Sequence, residues 1–170
     1  MNNFKKMALV VVMGMTVSAG AYAAPSTTTV VWSGIVPGTV ANDNIVITGV
    51  SGSLASLTGS ITPNTDGTFL SDTVTLESHV NDGTAAVPVV GILDATTNWT
   101  LADASVTFDG KANAAQVIEV SLNGVVAPIA TVVPLTSSLT AEIAQTVALD
   151  EAEVSGTTVQ ASITLMADNV

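Results

Sequence analysis

Few residues in this chain could do acid–base or metal chemistry. It contains one histidine, His79, no cysteine and no arginine. An enzyme must gather nucleophiles, acids and bases in one site, and the only tight acidic group is Asp150, Glu151 and Glu153. The turn signal at residues 81–83 favours a solvated or weakly bonded His79 over a catalytic base, and the acidic group favours a solvated turn over a cation site. We therefore expect no enzymatic activity, no cofactor and no metal.

The two tryptophans, Trp32 and Trp99, are the remaining side chains with a recognisable binding chemistry. Together they could form a stacking platform for a sugar, but tryptophan occurs more often in a core or an interface. No calcium-loop spacing, phosphate-binding loop or nucleophile elbow is present. The function must therefore be inferred from the strands and turns of the fold rather than from a chemical motif.

The first 23 residues have the pattern of a signal peptide. Lys5 and Lys6 precede an apolar run at residues 7–15, and Ala21-Tyr22-Ala23 forms a small-x-small cleavage site. A membrane span needs about 20 apolar residues, so this run is too short, and no later run qualifies. We expect an exported protein that does not span a membrane.

The exported chain is strongly acidic. Removing Lys5 and Lys6 leaves Lys111 against 14 carboxylates, a formal charge of −13. Such a surface repels phosphate backbones, so we expect no nucleic-acid partner. Without cysteine there is no disulfide framework, and stability must come from packing and strand pairing.

Short runs of strand-forming residues are separated by regular turn signals. Predicted strands lie at 45–50, 67–80, 87–93, 97–108, 117–122, 125–133 and 159–166, with turns such as Asp66-Gly67, Asp82-Gly83 and Asn123-Gly124 between them. This spacing predicts an all-β sandwich or barrel, and we assign residues 38–170 to a single domain.

Three segments are more ambiguous. Asp103 is expected to turn the 97–108 segment midway, and Pro128 and Pro134 to weaken the 125–133 segment. Residues 141–152 could contain a helical turn, although a strand is favoured for residues 146–149.

The last predicted strand has the clearest alternation. Val159, Ala161, Ile163 and Leu165 alternate with Gln160, Ser162, Thr164 and Met166. This period of two predicts one face on the core and one in solvent.

Residues 27–37 form an uncharged, β-branched stretch just after the predicted cleavage site. One interpretation is an ordinary first strand of the sandwich. The other is a strand that pairs with another copy, because an unprotected apolar edge is normally suppressed by charges, prolines or bulges. Pro37 and Gly38 separate this stretch from the next strand and favour the second interpretation.

In this respect the chain resembles the cysteine-free subunits of chaperone–usher fimbriae, of the CFA/I-like (class 5) or common-pilus type. The resemblance rests on the leader, the Val31-Trp32-Ser33-Gly34-Ile35 strand ending at Pro37, the hairpin around Asn123-Gly124, and the final strand after Ser155-Gly156. The disulfide and the penultimate tyrosine of type 1-like subunits are absent, which argues against that branch.

The resemblance implies an incomplete immunoglobulin-like β-sandwich that lacks its last strand, with residues 24–37 as a donor-strand extension. The expected function is that of a structural subunit of an adhesive surface fimbria. Its expected partners are identical subunits in a homo-polymer, a periplasmic chaperone, an outer-membrane usher and a tip adhesin.

Two faces of the donor strand are candidates for insertion. They are Thr29, Val31, Ser33 and Ile35, or Val30, Trp32, Gly34 and Val36. The class 5 pattern favours the first, with Ser33 at the tightest point, and a shift of one residue would select the second. Val159, Ala161, Ile163 and Leu165 are expected to border the groove that receives the strand. The alternative function is a secreted monomeric sandwich that binds a glycan or protein ligand.

Overall fold

The computed structural model describes residues 41–169, and this part of the chain is almost entirely β-structure. The predicted signal peptide and the predicted donor strand lie outside the described residues. The described part contains two antiparallel sheets and one short helix, α1 (Glu151–Val154). The all-β, two-sheet architecture expected from the turn spacing is confirmed.

The first sheet has the order β1-β3-β9-β6-β7, with β2 beside β9 and β4 beside β3. Its strands are β1 (Ile45–Thr48), β2 (Phe69–Leu70), β3 (Val74–Asn81), β4 (Val90–Leu93), β6 (Ile118–Leu122), β7 (Val125–Val126) and β9 (Ser138–Gln145). A 3-10 turn, Val50–Gly52, follows β1.

The second sheet has the order β10-β5-β8 and consists of β5 (Thr97–Phe108), β8 (Val132–Val133) and β10 (Val159–Asn169). β10 pairs with β5 along its full length, from Val159 opposite Phe108 to Asn169 opposite Thr97. The central strand β5 therefore pairs mainly with β10, while β8 pairs only with Trp99 and Thr100.

The core lies between the inward faces of the two sheets. Leu76, Val120 and Ile143 come from the first sheet, and Trp99, Leu101 and Val106 from the second. Trp99, Leu101, Val106 and Leu139 are completely buried. The apolar alternation along each strand thus accounts for the closure of the sandwich.

The Asn123-Gly124 hairpin is confirmed. Asn123 and Gly124 have φ values of 51° and 75°, as a two-residue turn between twisted strands requires. The arm after it is interrupted, since β7 and β8 contain only two residues each. Residues 125–135, called the far edge below, pass from the first sheet to the second opposite β10.

Three strand-level predictions are wrong. Residues 67–80 are not one strand, because β2 ends at Leu70 and β3 begins at Val74. Asp103 does not turn the chain, because β5 is continuous and absorbs the irregularity as a bulge opposite Thr164 and Leu165. Residues 146–149 are not a strand either. β9 ends at Gln145, and the Asp150 carboxylate accepts a hydrogen bond from the Ala152 N–H (2.9 Å) and caps α1 instead.

Candidate assembly groove

β10 presents one half-buried apolar face to the core and one exposed face to solvent. Val159, Ala161, Ile163, Leu165 and Ala167 pack against the core cluster, yet all five are only partly buried. The intervening residues are exposed along the whole strand. The predicted alternation is confirmed, and the four residues predicted to border a groove lie together on the inward face.

The backbone groups of these same residues point away from β5. The Asp109 N–H donates to the Thr158 carbonyl at 2.8 Å, so Thr158 directs its backbone groups at β5. Backbone groups alternate sides along a strand. The odd-numbered residues of β10 therefore direct both N–H and C=O to its outer edge. Among residues 41–169 no strand pairs with that edge.

The wall facing β10 is the edge of the first sheet that contains β1 and the residues after it. β1 pairs with β3, and Ile61 then bridges to Ser71 while the Asp72 N–H donates to the Ser60 carbonyl (2.8 Å). Ile47, Leu57 and Ile61 pack against the core from this wall and are partly buried. We call the space between this wall and β10 the groove.

The groove differs at its two ends. Near the end of β10, the Ser78 and Thr97 hydroxyls form a buried hydrogen bond of 2.6 Å between the sheets, and Thr97 pairs with Asn169. At the start of β10, a pocket of about 290 Å³ separates Ile61 from Val159. The two sheets are therefore linked by a buried hydrogen bond near the end of β10, and a pocket lies at its start.

His79 and Glu77 of β3 form hydrogen bonds that connect the wall of the groove to its neighbours. One Glu77 carboxylate oxygen accepts hydrogen bonds from His79 Nε2 and from the Gly52 N–H, both at 3.2 Å. His79 Nδ1 lies 2.9 Å from the Gly91 carbonyl oxygen. Of the two states expected for His79, solvated or weakly bonded, the solvated one is wrong, since only 8% of the residue is exposed. The His79 hydrogen bond, followed by that of Gly52, holds the pKa of Glu77 below its ordinary value of 4.5.

The acidic group after β9 has a structural role in the described fold. Asp150 caps α1, and Glu153 accepts a hydrogen bond from the Asn113 side-chain amide at 3.0 Å. Within residues 41–169 no group of three histidine, aspartate or glutamate side chains is arranged to hold a metal ion. In the same part of the chain, no helix has the length and apolar character needed to cross a membrane.

The aromatic side chains of the described fold are turned inward. Trp99 is completely buried and donates from Nε1 to the Thr136 carbonyl at 2.9 Å, so it is not accessible to a sugar. An open cleft of about 470 Å³ lies over β2, β6 and β9 and includes Glu119, Ser121 and Glu142. Its one aromatic residue, Phe69, is 6% exposed.

Sequence reasoning located β10 but missed two residues of the groove wall, Leu57 and Ile61. Leu57 and Ile61 lie in a stretch rich in serine, threonine and glycine with no alternating pattern. Both pack against the core from outside any strand, and Ile61 is attached only by a single bridge to Ser71, so no periodic pattern marks them. Both candidate faces of the donor strand lie outside the described residues.

A scan of the chain against protein-family models and a search of the curated proteins each find no match.

Proposed function

We propose that this protein is a structural subunit of an adhesive surface fimbria and polymerises by donor-strand exchange. Residues 27–37 of one copy add to the outer edge of β10 in the next copy. In this proposal the subunit is exported, is held in the periplasm by a chaperone that lends a strand, and is assembled at an outer-membrane usher.

The observation that carries the proposal is the state of β10. It is an 11-residue regular strand in which Val159, Ala161, Ile163, Leu165 and Ala167 direct backbone groups to an edge without a partner among residues 41–169. The side chains of the same residues are only partly buried although they pack against the core. An added strand would pair the backbone and cover the side chains at once.

Two contributions favour strand addition: new backbone hydrogen bonds and the burial of apolar area. Each new backbone hydrogen bond contributes about 0.5–1.5 kcal/mol net, and apolar area removed from water contributes about 25 cal/mol per Å². Covering Ile163 and Leu165 alone removes the exposed part of two large, partly buried side chains from water. Because the subunit is stabilised by bound strand, its stability depends on strand occupancy.

The composition of residues 27–37 complements this edge. The stretch has no charge to bury and is rich in β-branched residues, which suit an inserted strand. Outside the leader the chain carries 14 carboxylates and one lysine. Mutual repulsion of such subunits disfavours random association, so a specific strand–edge contact would dominate assembly.

Deletion of residues 24–36 after the leader tests the proposal. The variant should still accept a strand but be unable to donate one, so it should join wild-type subunits only at a chain end. Wild-type material should give a ladder on gels that collapses to monomer on boiling. A normal ladder from the deletion variant alone, or a single monomer band from unboiled wild type, would contradict the proposal.

A further inference from the structure

The pocket at the start of β10 is lined by both apolar and polar side chains. Its lining combines apolar residues, among them Ile61, Val154 and Val159, with the polar residues Asn64, Thr65 and Thr157. At about 290 Å³ it is larger than an aliphatic side chain would fill. It lies at the start of β10, at the opposite end of the groove from the Ser78–Thr97 hydrogen bond.

Two of the polar lining side chains, Asn64 and Thr157, retain hydrogen-bond acceptors. Asn64 Nδ2 donates to the Thr68 hydroxyl (2.9 Å), which leaves its Oδ1 as an acceptor. The Thr157 hydroxyl donates to the Val154 carbonyl (2.7 Å), which leaves the lone pairs of its oxygen. The pocket therefore suits a large apolar group that carries a single N–H donor at its edge.

Residues 27–37 contain one such side chain. The others are threonine, valine, serine, glycine, isoleucine and proline, all smaller and without a side-chain N–H. An indole combines a large apolar ring with one N–H that seeks an acceptor when buried. Resting on the fimbrial assembly proposed above, we infer that Trp32 of the incoming strand fills the pocket between Ile61 and Val159.

The assignment decides which face of the strand enters the groove. Trp32 shares its face with Val30, Gly34 and Val36, because side chains alternate along a strand. The opposite face, with Val31, Ser33 and Ile35, then lies on the outer surface of the polymer. An isoleucine in the same pocket would leave part of it empty, and unfilled apolar volume weakens binding.

Tryptophan fluorescence of the assembled full-length protein tests this inference. The difference between wild type and Trp32→Phe isolates the emission of Trp32, since Trp99 is buried in both. We expect a blue-shifted emission in the polymer and strong protection from acrylamide. A Trp32 signal in the polymer that matches the denatured chain would overturn the inference. A Trp99→Phe chain, in which Trp32 is the sole tryptophan, repeats the measurement if Trp32→Phe does not assemble.

A pair of truncations provides a second readout on the same full-length chain. Polymers of Trp32→Ala should dissociate on heating about tenfold faster than wild type or more, whereas Ile35→Ala polymers should stay close to wild type. The reverse order would assign the other face. If wild-type chains form no heat-sensitive ladder at all, the proposed function fails; a normal ladder with an exposed Trp32 overturns only the present inference.

Discussion

β10 forms one edge of the second sheet, whereas the far edge runs from the edge of the first sheet at β7 to the opposite edge of the second sheet at β8. Both expose apolar side chains. At the far edge Val125, Ile129 and Leu135 are more than half exposed, and no charged residue occurs between Glu119 and Glu142. On β10 the inward side chains are partly buried. Hydrophobicity and lack of charge therefore do not distinguish the two edges.

The backbone does distinguish them. β10 is regular over 11 residues, whereas the far edge has two strands of two residues each. Pro128 and Pro134 remove N–H donors there, and Ala130 and Leu135 adopt positive φ values of 70° and 50°. Short edge strands, prolines and irregular backbone prevent strand addition. In the proposed assembly, an edge that is continuous and unpaired among residues 41–169, rather than apolar surface, would select the site of strand addition.

The largest expected effect comes from placing a charge on the inward face of β10. Ile163→Asp should abolish polymer formation, because an added strand would bury an unpaired carboxylate at a cost of about 4 kcal/mol or more. The heat-sensitive ladder of the full-length protein measures this effect. Far-UV circular dichroism of the unassembled subunit shows whether the sandwich itself remains folded.

Two matched variants sharpen this test. Ser162→Asp adds the same charge one residue away on the exposed face, and Val125→Asp adds it at the far edge, where the side chain is 69% exposed. Both should assemble like wild type. Loss of assembly in Val125→Asp with normal assembly in Ile163→Asp would invert the assignment of the two edges.

The parts of the fold that were predictable carry a regular pattern. The period of two along β10 and the Asn123-Gly124 turn are local signals, so both were identified from sequence. The bulge at Asp103 depends on how β5 meets β10, which local propensity does not encode. Leu57 and Ile61 acquire their role in the groove only through contacts distant in sequence, and no repeat marks them.

An intermediate effect is expected on the pH dependence of stability, from the Glu77 carboxylate in the groove wall. Because the pKa of Glu77 is lowered in the folded state, its ionised form stabilises the fold. This contribution is complete above about pH 4.5 and is lost as pH falls through the folded pKa. Glu77→Gln should therefore melt below wild type at neutral pH, with the difference vanishing in acid.

Melting temperatures of both unassembled proteins between about pH 2 and pH 7 test the sign of this linkage. Asp66→Asn offers a parallel case, since hydrogen bonds from the Thr68 hydroxyl and backbone lower the pKa of Asp66. A Glu77→Gln protein as stable as wild type at every pH would show that the carboxylate does not brace the wall.

The smallest effect is expected at the far edge, from Leu135→Asn. Leu135 has a φ of 50° and is 63% exposed, so its left-handed backbone costs about 1 kcal/mol with little burial in return. Asparagine tolerates this conformation, and the Leu135 N–H bond to Asn98 Oδ1 (3.1 Å) is kept. Urea denaturation should show that the free energy of unfolding rises by about 0.5 kcal/mol, with an unchanged ladder.

Val132→Asn, at an exposed β8 position without positive φ, should instead lose stability. Equal losses in both variants would mean that the irregular backbone is not strained, and that the far edge is blunted by its prolines and short strands alone.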